Sequence, residues 1–496
     1  MPNERDTAGY LPHLTARTER LAIAGVLVLA LALRLLRLDA ALWFDEIVTL
    51  LRFVRLPFAE LVQTYDSLNN HMFFSLQAKL AVTVFGETAW ALRLPAVIWG
   101  VAGIWALWRL AREVTWPGAA VLAALLMTLS YHHVWFSQNA RGYTGLLFFG
   151  LIATLLLVRA LRRPGWAVWA AYMACLVAAM YTHLSAGFFF LAHGLAWLML
   201  TVAARARHGG LPNGAVRMPL VAAAGAALVL VLLFGPMVPQ ISETFGAVQQ
   251  GSGSAVKSAS VEEWKSPLWM LAEVSRSLGP VLGLALPAVV LVLIVSMIGF
   301  ARTEPVLPLI LAGHVVLTVA ILVATGFRIW PRYFLVDLGL ICLFLIHGSY
   351  LIGDWLAARV GALPRAAGMW LAVAGIAASL VLLPRNYAYP KQDFTGARDF
   401  VEAQRHPDAA VMALGLTAMP YLDYYAPGWV GIDDLDGFQA AYRPERENWI
   451  VYTFPGVIEK RFEDLFARYG DAFEKAAYFP GTLAEGGIVV LKSRGG

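Results

Sequence analysis

The sequence is poor in charge and in cysteine. Only 14% of its 496 residues are charged, whereas 59% are hydrophobic and the mean hydropathy is +0.64. Soluble domains carry about a quarter charged residues, so this composition excludes an ordinary soluble protein and indicates a polytopic membrane protein. The two cysteines, Cys175 and Cys342, lie inside apolar runs, which leaves no disulfide framework and no cysteine-based zinc site.

Three further signals are missing. No basic run with interleaved aromatic residues suggests nucleic-acid binding, and no internal repeat is visible. A polar, arginine-containing stretch precedes the first apolar run, and no small-residue cleavage site follows it. We therefore expect no cleavable signal peptide, and we expect the first apolar run to stay in the membrane as the first span.

Eleven apolar runs are long enough to cross the roughly 30 Å of hydrocarbon in a bilayer. Only the polar turn at residues 181–183 separates the fifth run from the sixth, so these two could instead form one long helix. The runs cover residues 20–38, 90–109, 117–135, 143–160, 166–182, 184–203, 219–238, 278–300, 306–325, 333–352 and 367–384.

The arginines between these runs predict the orientation. Counting eleven spans from a cytoplasmic N-terminus leaves only Arg141, Arg328 and Arg332 in the short outer turns. This asymmetry obeys the positive-inside rule and favours two spans within residues 166–203. The arginines of the inner connections are Arg109, Arg112, Arg159, Arg162, Arg163, Arg205, Arg207, Arg217, Arg302, Arg359 and Arg365.

Two long outer segments interrupt the helices of this membrane domain, residues 1–385. Residues 39–88 form the first outer loop, with apolar-rich stretches at 47–64 and 71–85 that suit interfacial helices. Residues 240–280 have a Gly/Ser-rich centre, and we expect this loop to be mobile and to close over a bound substrate.

The tail, residues 386–496, has a different character. Strand-like runs at 410–414, 449–453 and 487–491 alternate with helix-like runs at 396–404 and 458–469. This order predicts a small α/β domain on the extracytoplasmic side. It holds no glycine-rich phosphate loop between a strand and a helix, which argues against nucleotide binding there.

Charged residues cluster at the predicted outer ends of three spans. Asp45 and Glu46 follow the first span, Arg141 opens the fourth and Arg332 opens the tenth, so all should lie at a similar depth. Charges beside a membrane are costly and are functional candidates by default. Two acids with two arginines suit an anionic lipid headgroup, because the guanidinium fork matches phosphate oxygens.

Each of these residues also has an ordinary structural interpretation. Arg141 and Arg332 could be snorkelling side chains at helix ends. Asp45 and Glu46 could be a helix cap or a solvated acidic pair. The polar run at 137–143 is longer than a turn between two spans requires, which favours the functional interpretation.

Three motifs resemble the bacterial family 39 glycosyltransferases of the GT-C superfamily. They are Leu-Trp-Phe-Asp-Glu at 42–46, Ser-Gln-Asn-Ala-Arg-Gly-Tyr at 137–143 and Pro-Arg-Tyr-Phe at 331–334. Asn-His-Met-Phe-Phe at 70–74 takes the place of a His-Pro-Pro-Leu-Tyr motif, without its prolines, and Ala-Trp-Ala-Leu-Arg-Leu-Pro follows at 89–95. The family is similar to protein O-mannosyltransferases and to the aminoarabinose transferase that modifies lipid A. The resemblance covers about residues 20–350.

The resemblance implies a GT-C fold and an inverting sugar transfer from a polyprenyl-phosphate donor to a lipid, glycan or protein acceptor. The site would face outward from a bacterial plasma membrane. Asp45 and Glu46 would form the catalytic group, with Asp45 as the base and Glu46 orienting a loop or a sugar hydroxyl. The phosphate would be bound by Arg141 and Arg332, with hydroxyl donors from Tyr143 and Tyr333.

The outer histidines and the cofactor form a separate question. His71 and His183 are possible contacts to substrate or metal, because some relatives in the superfamily use a divalent metal. Their spacing gives no zinc motif, and hydrogen-bonding histidines at the membrane interface are the other interpretation. No cofactor is required by the sequence, and a divalent metal stays possible.

Two rival functions fit a bundle of this size. A lipid-linked sugar transporter or flippase would place its polar groups near the midplane and often shows repeated halves, whereas these charges cluster at the outer ends. A receptor or assembly protein, with the tail as its binding module, would not explain acids and arginines at one depth. The sequence therefore favours a glycosyltransferase.

Overall fold

The computed structural model describes residues 14–209, 213–249, 265–360, 367–483 and 485–494. A helical part runs to residue 388 and an α/β unit follows, which confirms the predicted fold class. The helices of the first part are Ala16–Leu35, Phe44–Thr49, Phe58–Leu61, Met72–Phe85, Ala89–Val114, Pro117–Leu129, Tyr131–Ser137, Tyr143–Arg162, Trp166–Thr182, Ala186–His208, Arg217–Phe234, Val238–Gln249, Pro267–Thr303, Val306–Thr325, Leu338–Arg359, Ala367–Leu382 and Arg385–Ala388. A π-helix spans Leu50–Val54, and 3-10 helices span Gly235–Met237 and Pro331–Asp337.

A helix lies on every one of the eleven apolar runs. Within the described ranges, eight helices are long and apolar enough to cross a membrane, or nine if one bent pair counts as a single span. The helix Trp166–Thr182 has 17 residues, and the helix Ala16–Leu35 carries charges near both ends. The result is a multi-pass membrane bundle.

Small residues let the helices of this bundle pack closely. The helix Pro117–Leu129 buries Ala119, Ala120, Ala123 and Ala124 completely, and it lies against the first helix, Ala16–Leu35, and against Leu338–Arg359. Alanines on one face allow neighbouring helix axes to approach in a membrane, where lipid tails remove the usual hydrophobic drive for association.

The bent pair is held by an arginine of the first helix. The helices Pro117–Leu129 and Tyr131–Ser137 meet at 63°, where the Ser130 hydroxyl accepts from the His133 backbone amide at 3.4 Å and caps the second helix. Arg34, fully buried, contacts His133 Nδ1 at 2.6 Å and donates to Ser137 Oγ at 3.2 Å. This bend brings the polar run at 137–143 to the C-terminal end of the helix Ala16–Leu35.

The segment at residues 240–280 is helical at both ends, with Val238–Gln249 on one side and Pro267–Thr303 on the other. The Gly/Ser-rich centre lies outside the described residues, and loop closure stays a prediction. The start of the segment is anchored to the first outer loop. Gln240 Oε1 accepts from the Tyr65 backbone amide at 2.6 Å, and the Thr244 hydroxyl donates to the Tyr65 carbonyl at 3.2 Å.

The α/β unit contains one five-stranded sheet in the order β2-β1-β3-β5-β4. The central strand β3 pairs parallel to β1 and antiparallel to β5. The three predicted strands are present, and the two edge strands, Val430–Ile432 and Phe473–Phe479, lacked an alternating pattern clear enough to predict. The strands are β1 Ala410–Leu414, β2 Val430–Ile432, β3 Asn448–Thr453, β4 Phe473–Phe479 and β5 Ile488–Ser493.

Short helices cover the two faces of this sheet. The predicted helix-like run at 458–469 is divided at Phe462 into two helices, and Asp393 caps the helix Phe394–Gln404 by accepting from the Gly396 amide at 2.9 Å. The helical elements are Phe394–Gln404, Gly415–Thr417, Ala418–Pro420, Tyr421–Tyr425, Leu435–Ala441, Pro455–Arg461, Glu463–Tyr469 and Gly470–Ala472.

Candidate active site

Asp45 lies between the two arginines that the sequence predicted to share its depth. It is the second residue of the helix Phe44–Thr49. Its Oδ2 lies 3.2 Å from Arg141 Nη1 and 3.9 Å from Arg332 Nη1. The Arg141 side chain is 3% exposed and the Arg332 side chain is 38% exposed. Three segments far apart in the chain therefore meet at one carboxylate oxygen.

The two predicted tyrosines lie beside these charges. Tyr143, 3% exposed, opens the helix Tyr143–Arg162, and its ring centroid lies 5.7 Å from the Arg141 guanidinium carbon. Tyr333 lies in the 3-10 helix that carries Arg332, with its ring 6.5 Å from the His183 ring. Tyr143 thus lies beside Arg141, and Tyr333 lies on the element of Arg332.

Glu46 has a different environment from its neighbour. It is fully buried, and its two carboxylate oxygens accept four hydrogen bonds. Oε1 accepts from Arg93 Nε and from the Ala140 amide, each at 2.8 Å. Oε2 accepts from Arg93 Nη2 at 2.6 Å and from the Trp43 amide at 3.3 Å. These contacts support an orienting role for Glu46 and give no support to proton transfer by it.

Arg93 extends the same network into the preceding loop. Its guanidinium donates to the carbonyls of Leu38 at 2.7 Å, Ala40 at 2.6 Å and Ala41 at 3.1 Å. It therefore fixes the backbone that connects the first span to the acidic pair. The sequence carried a signal for this role, because Arg93 stands inside a membrane helix, where a charge needs a partner.

The polar run at 137–143 divides its contacts between two neighbours. Gln138 Nε2 donates to the carbonyls of Arg34 at 3.0 Å and Leu36 at 2.7 Å, which satisfies the C-terminus of the first helix. Asn139 Oδ1 accepts from Trp43 Nε1 at 3.0 Å. Together with the Ala140–Glu46 bond, these contacts hold the Arg141 backbone against the acidic motif.

Gly142 is required by the close approach of His71. Its amide donates to His71 Nδ1 at 2.8 Å. A Cβ at this position would lie 2.6 Å from Thr182 Cγ2 and 2.9 Å from His71 Nδ1. Only glycine therefore lets the motif pass between His71 and Thr182 without displacing them.

The two histidines lie in the site, but their nitrogens are largely engaged. His71 Nε2 contacts Arg141 Nη2 at 2.9 Å, and His183 Nδ1 contacts the Ser185 hydroxyl at 2.8 Å. Burial and the nearby guanidiniums lower the pKa of His183 to about 3 and hold the pKa of His71 well below its usual range. Both imidazoles are therefore neutral at physiological pH.

A divalent metal is the other possible partner of the two histidines. Within the described ranges, no three side chains of His, Cys, Asp or Glu are grouped to hold a metal ion. His71 uses one nitrogen on a backbone amide and faces a guanidinium with the other, which is a poor arrangement for a metal ligand. Among the described residues, this donor set does not fit a divalent metal.

Sequence reasoning missed two residues of the site. Asn69 Nδ2 donates to the Asp45 carbonyl at 3.1 Å, and Asn69 Oδ1 accepts from Arg141 Nη1. Tyr65, 3% exposed, interacts electrostatically with Arg141 and Tyr333, and burial raises the pKa of its phenol. Asn69 directly precedes the motif at 70–74, which was its only signal. No local pattern marked Tyr65.

A family model described as dolichyl-phosphate-mannose-protein mannosyltransferase matches residues 72–234. The matched range includes Arg141, Tyr143 and His183, and it excludes Asp45 and Arg332. No curated protein sequence matches the chain significantly.

Solved structures resemble the fold along most of the chain. The apo oligosaccharyltransferase of Archaeoglobus fulgidus has a TM-score of 0.52 at 14% identity, over 89% of this chain and 70% of that one. The same enzyme tethered to an acceptor peptide has a TM-score of 0.51 at 12% identity, over 94% and 73%. ArnT from Cupriavidus metallidurans bound to undecaprenyl phosphate has a TM-score of 0.49 at 15% identity, over 95% and 97%.

The sequence match includes the second of the three motifs, at residues 137–143, and the archaeal enzyme shares the fold of the chain. The chain is a multi-pass membrane protein, similar over residues 72–234 to dolichyl-phosphate-mannose-protein mannosyltransferases and similar in fold to the archaeal oligosaccharyltransferase.

Proposed function

We propose that the protein transfers a sugar, with inversion, from a polyprenyl-phosphate donor to an acceptor at the outer face of a bacterial plasma membrane. One observation carries the proposal: a single carboxylate oxygen of Asp45 lies 3.2 Å from the Arg141 guanidinium and 3.9 Å from that of Arg332. A proton acceptor and two groups suited to phosphate thus occupy one place.

The chemistry needs both kinds of group at that distance. A base must take the proton of the acceptor as the new bond forms, and cations must stabilise the phosphate as the sugar leaves it. Asp45 is the base, and Arg141 and Arg332 bind the phosphate. Tyr143 and Tyr333 supply hydroxyl donors beside the phosphate. Glu46 fixes the position of Arg141 relative to Asp45, because it is the neighbour of Asp45 and accepts a hydrogen bond from the amide of Ala140, directly before Arg141.

The outward orientation rests on the arginine distribution. The inner connections are rich in arginine, and the α/β unit follows a final outward span in an eleven-span count. The N-terminus is then cytoplasmic, and Asp45 and the α/β unit share the outer side. Reporter fusions after Arg385 test this arrangement, because cytoplasmic reporter activity there would contradict it.

The experiment for the site separates the base from the phosphate ligands. Asp45→Asn should lower kcat about 100-fold or more, since a general base contributes about 10²- to 10⁴-fold. Its affinity for undecaprenyl phosphate should stay unchanged or rise, because both arginines lose a competing carboxylate. Arg141→Ala and Arg332→Ala should weaken that affinity about ten- to a hundred-fold, from about 1.5–3 kcal/mol for a charge-assisted contact. Lysine at either position should restore part of it.

Binding is measured with undecaprenyl phosphate in nanodiscs, and turnover with the lipid-linked sugar that native mass spectrometry identifies in the purified protein. Arg302→Ala is the matched control, because Arg302 lies at the end of the helix Pro267–Thr303, on the predicted inner side. Turnover of Asp45→Asn at the parent rate would place the base elsewhere. Normal phosphate affinity in both arginine variants would make these side chains structural anchors.

A further inference from the structure

The α/β unit makes direct hydrogen bonds to the backbone just before Asp45. The Tyr425 hydroxyl donates to the Leu42 carbonyl at 2.9 Å, and Gln392 Oε1 accepts from the Phe44 amide at 3.2 Å. These bonds lie on the two sides of Trp43. The Phe44 side chain also packs against the apolar core between the sheet and the helix Phe394–Gln404. The backbone leading into the catalytic helix therefore depends on the α/β unit.

Gln392 connects that backbone to the centre of the sheet. It is fully buried, and its Nε2 donates to the Thr453 hydroxyl at 3.1 Å. Thr453 is the last residue of β3, and its hydroxyl contacts the carbonyls of Gly486 at 3.2 Å and Gly487 at 3.3 Å. A movement of the sheet would thus be transmitted through one side chain to the Phe44 amide.

The residue before Gln392 reaches the second motif in the same way. Lys391 Nζ donates to the Gln138 carbonyl at 2.6 Å and lies 5.1 Å from the Trp135 ring centroid. Trp135 Nε1 in turn donates to the Thr482 hydroxyl at 3.0 Å. Adjacent residues of the α/β unit therefore contact both segments whose side chains, Asp45 and Arg141, form the ion pair.

The catalytic helix has little stability of its own. The helix Phe44–Thr49, with six residues, continues directly into the five-residue π-helix Leu50–Val54, and isolated helices shorter than about 12 residues are marginal even in favourable sequences. Its position must therefore come from tertiary contacts, and an error of about 1 Å in a reacting group can cost about 100-fold in rate. Glu46 fixes the helix from the membrane side, and Gln392 and Tyr425 fix it from the other side.

We propose that the α/β unit is a positioning domain for the catalytic base, with Gln392 as its principal positioning residue. The inference rests on the proposed role of Asp45. It assigns to the α/β unit a function in the chemical step, whereas a separate acceptor-binding module would act only on acceptor affinity. Gln392 acts through the Phe44 backbone and makes no described contact with Asp45 itself.

The test compares Gln392→Leu with Gln392→Glu and with a control elsewhere in the α/β unit. Gln392→Leu should lower kcat about ten- to a hundred-fold, with undecaprenyl phosphate affinity within twofold of the parent. Gln392→Glu, in its protonated form, keeps an acceptor for the Phe44 amide and a donor for the Thr453 hydroxyl, and it should recover part of kcat. Thr417→Val is the control, because the buried Thr417 hydroxyl bonds the Leu414 and Val451 carbonyls away from the motif. It should leave kcat unchanged.

Two further measurements make the result specific. Amide hydrogen exchange of the peptide covering residues 42–49 should accelerate in Gln392→Leu and not in Thr417→Val. In an Asp45→Asn background, Gln392→Leu should cause no additional loss of kcat, because a residue that acts through Asp45 has nothing left to position. Additive losses would overturn the inference.

Each of the remaining outcomes would either overturn the positioning role or refute the proposed function. A kcat of Gln392→Leu equal to that of the parent would overturn the positioning role. A change confined to the KM of the acceptor would also overturn it, and would indicate an acceptor-binding domain instead. If Gln392→Leu does not fold, Tyr425→Phe removes only one hydroxyl and should lower kcat severalfold; parent-like kcat there overturns the inference. Full activity of Asp45→Asn would refute the proposed function instead, whatever Gln392→Leu does.

Discussion

Replacement of Glu46 by glutamine should destabilise the protein far more than its small chemical change suggests. All four groups that contact the carboxylate are donors, two on each oxygen. A glutamine amide has one nitrogen, which must face two of these donors in either orientation. The substitution therefore loses two hydrogen bonds, creates donor–donor contacts and leaves the Arg93 guanidinium buried without its counter-charge.

The magnitude follows from the burial of the pair. The Glu46 and Arg93 side chains are 0% and 3% exposed, and breaking a buried ion pair by removing one partner costs about 3–5 kcal/mol. We expect Glu46→Gln and Arg93→Met each to lower the free energy of unfolding by an amount in that range. The double variant Glu46→Leu/Arg93→Met should lose clearly less than the sum, because neither charge then remains buried alone.

The assay is unfolding in detergent followed by intrinsic fluorescence, for which the 17 tryptophans provide the signal. Arg55 and Glu87 supply a matched control, since they form a 2.7 Å ion pair with side chains 46% and 39% exposed. Glu87→Gln should change stability by no more than about 1 kcal/mol. Parent-like stability of Glu46→Gln, with activity lost, would refute this reasoning and return Glu46 to the chemical step.

Three other predictions concern neighbouring groups. Gly142→Ala should lower the free energy of unfolding by about 1–3 kcal/mol and remove most activity, because its methyl group meets Thr182 and His71. Gly375→Ala is the control: a Cβ there has no atom within 4 Å, so melting temperature and turnover should not change. Burial lowers the pKa of Lys391 to about 7. The pKa of this lysine is near 10.5 in the unfolded chain, so between about pH 7 and 10.5 the unfolded chain binds more protons than the folded protein. The free energy of unfolding of the parent should therefore rise with pH by up to about 1.4 kcal/mol per unit. Melting curves from pH 7 to 9 should show this rise, and Lys391→Met should lack it. His314→Phe removes the 2.7 Å bond to Asp337, on the 3-10 helix of Arg332, and should weaken undecaprenyl phosphate binding; unchanged affinity would contradict this coupling.

The meeting of Asp45, Arg141 and Arg332 could be predicted from the sequence because hydrophobic length and arginine asymmetry together fix depth and side. Residues at the same end of a bundle are then neighbours whatever their separation in the chain. The family motifs added which of the outer charges to choose. The small α/β unit was likewise predictable, since its three predicted strands are apolar runs that alternate with helix-like runs.

The contacts that hold the site could not be predicted in the same way. The partner of Glu46 depends on the rotation of the helix Ala89–Val114, which hydropathy does not specify. The need for glycine at position 142 arises only when His71 approaches it. No signal in the sequence marked Gln392, because it is a single amide side chain after the last span and belongs to no motif. Its role becomes visible only when the sheet is placed beside the motif at 42–46. Depth is encoded locally, whereas orientation about a helix axis and domain docking are not.

The carboxylate of Asp45 also has a consequence for kinetic order. In the described arrangement it is engaged by the same two guanidiniums that bind the donor phosphate in the proposed reaction. Arrival of the phosphate withdraws these cations from Asp45 and leaves its oxygen available to the acceptor. An acceptor that arrives first meets a base that is still engaged. We therefore expect ordered addition with the donor first, and steady-state kinetics should show free polyprenyl phosphate to be competitive against the donor and not against the acceptor.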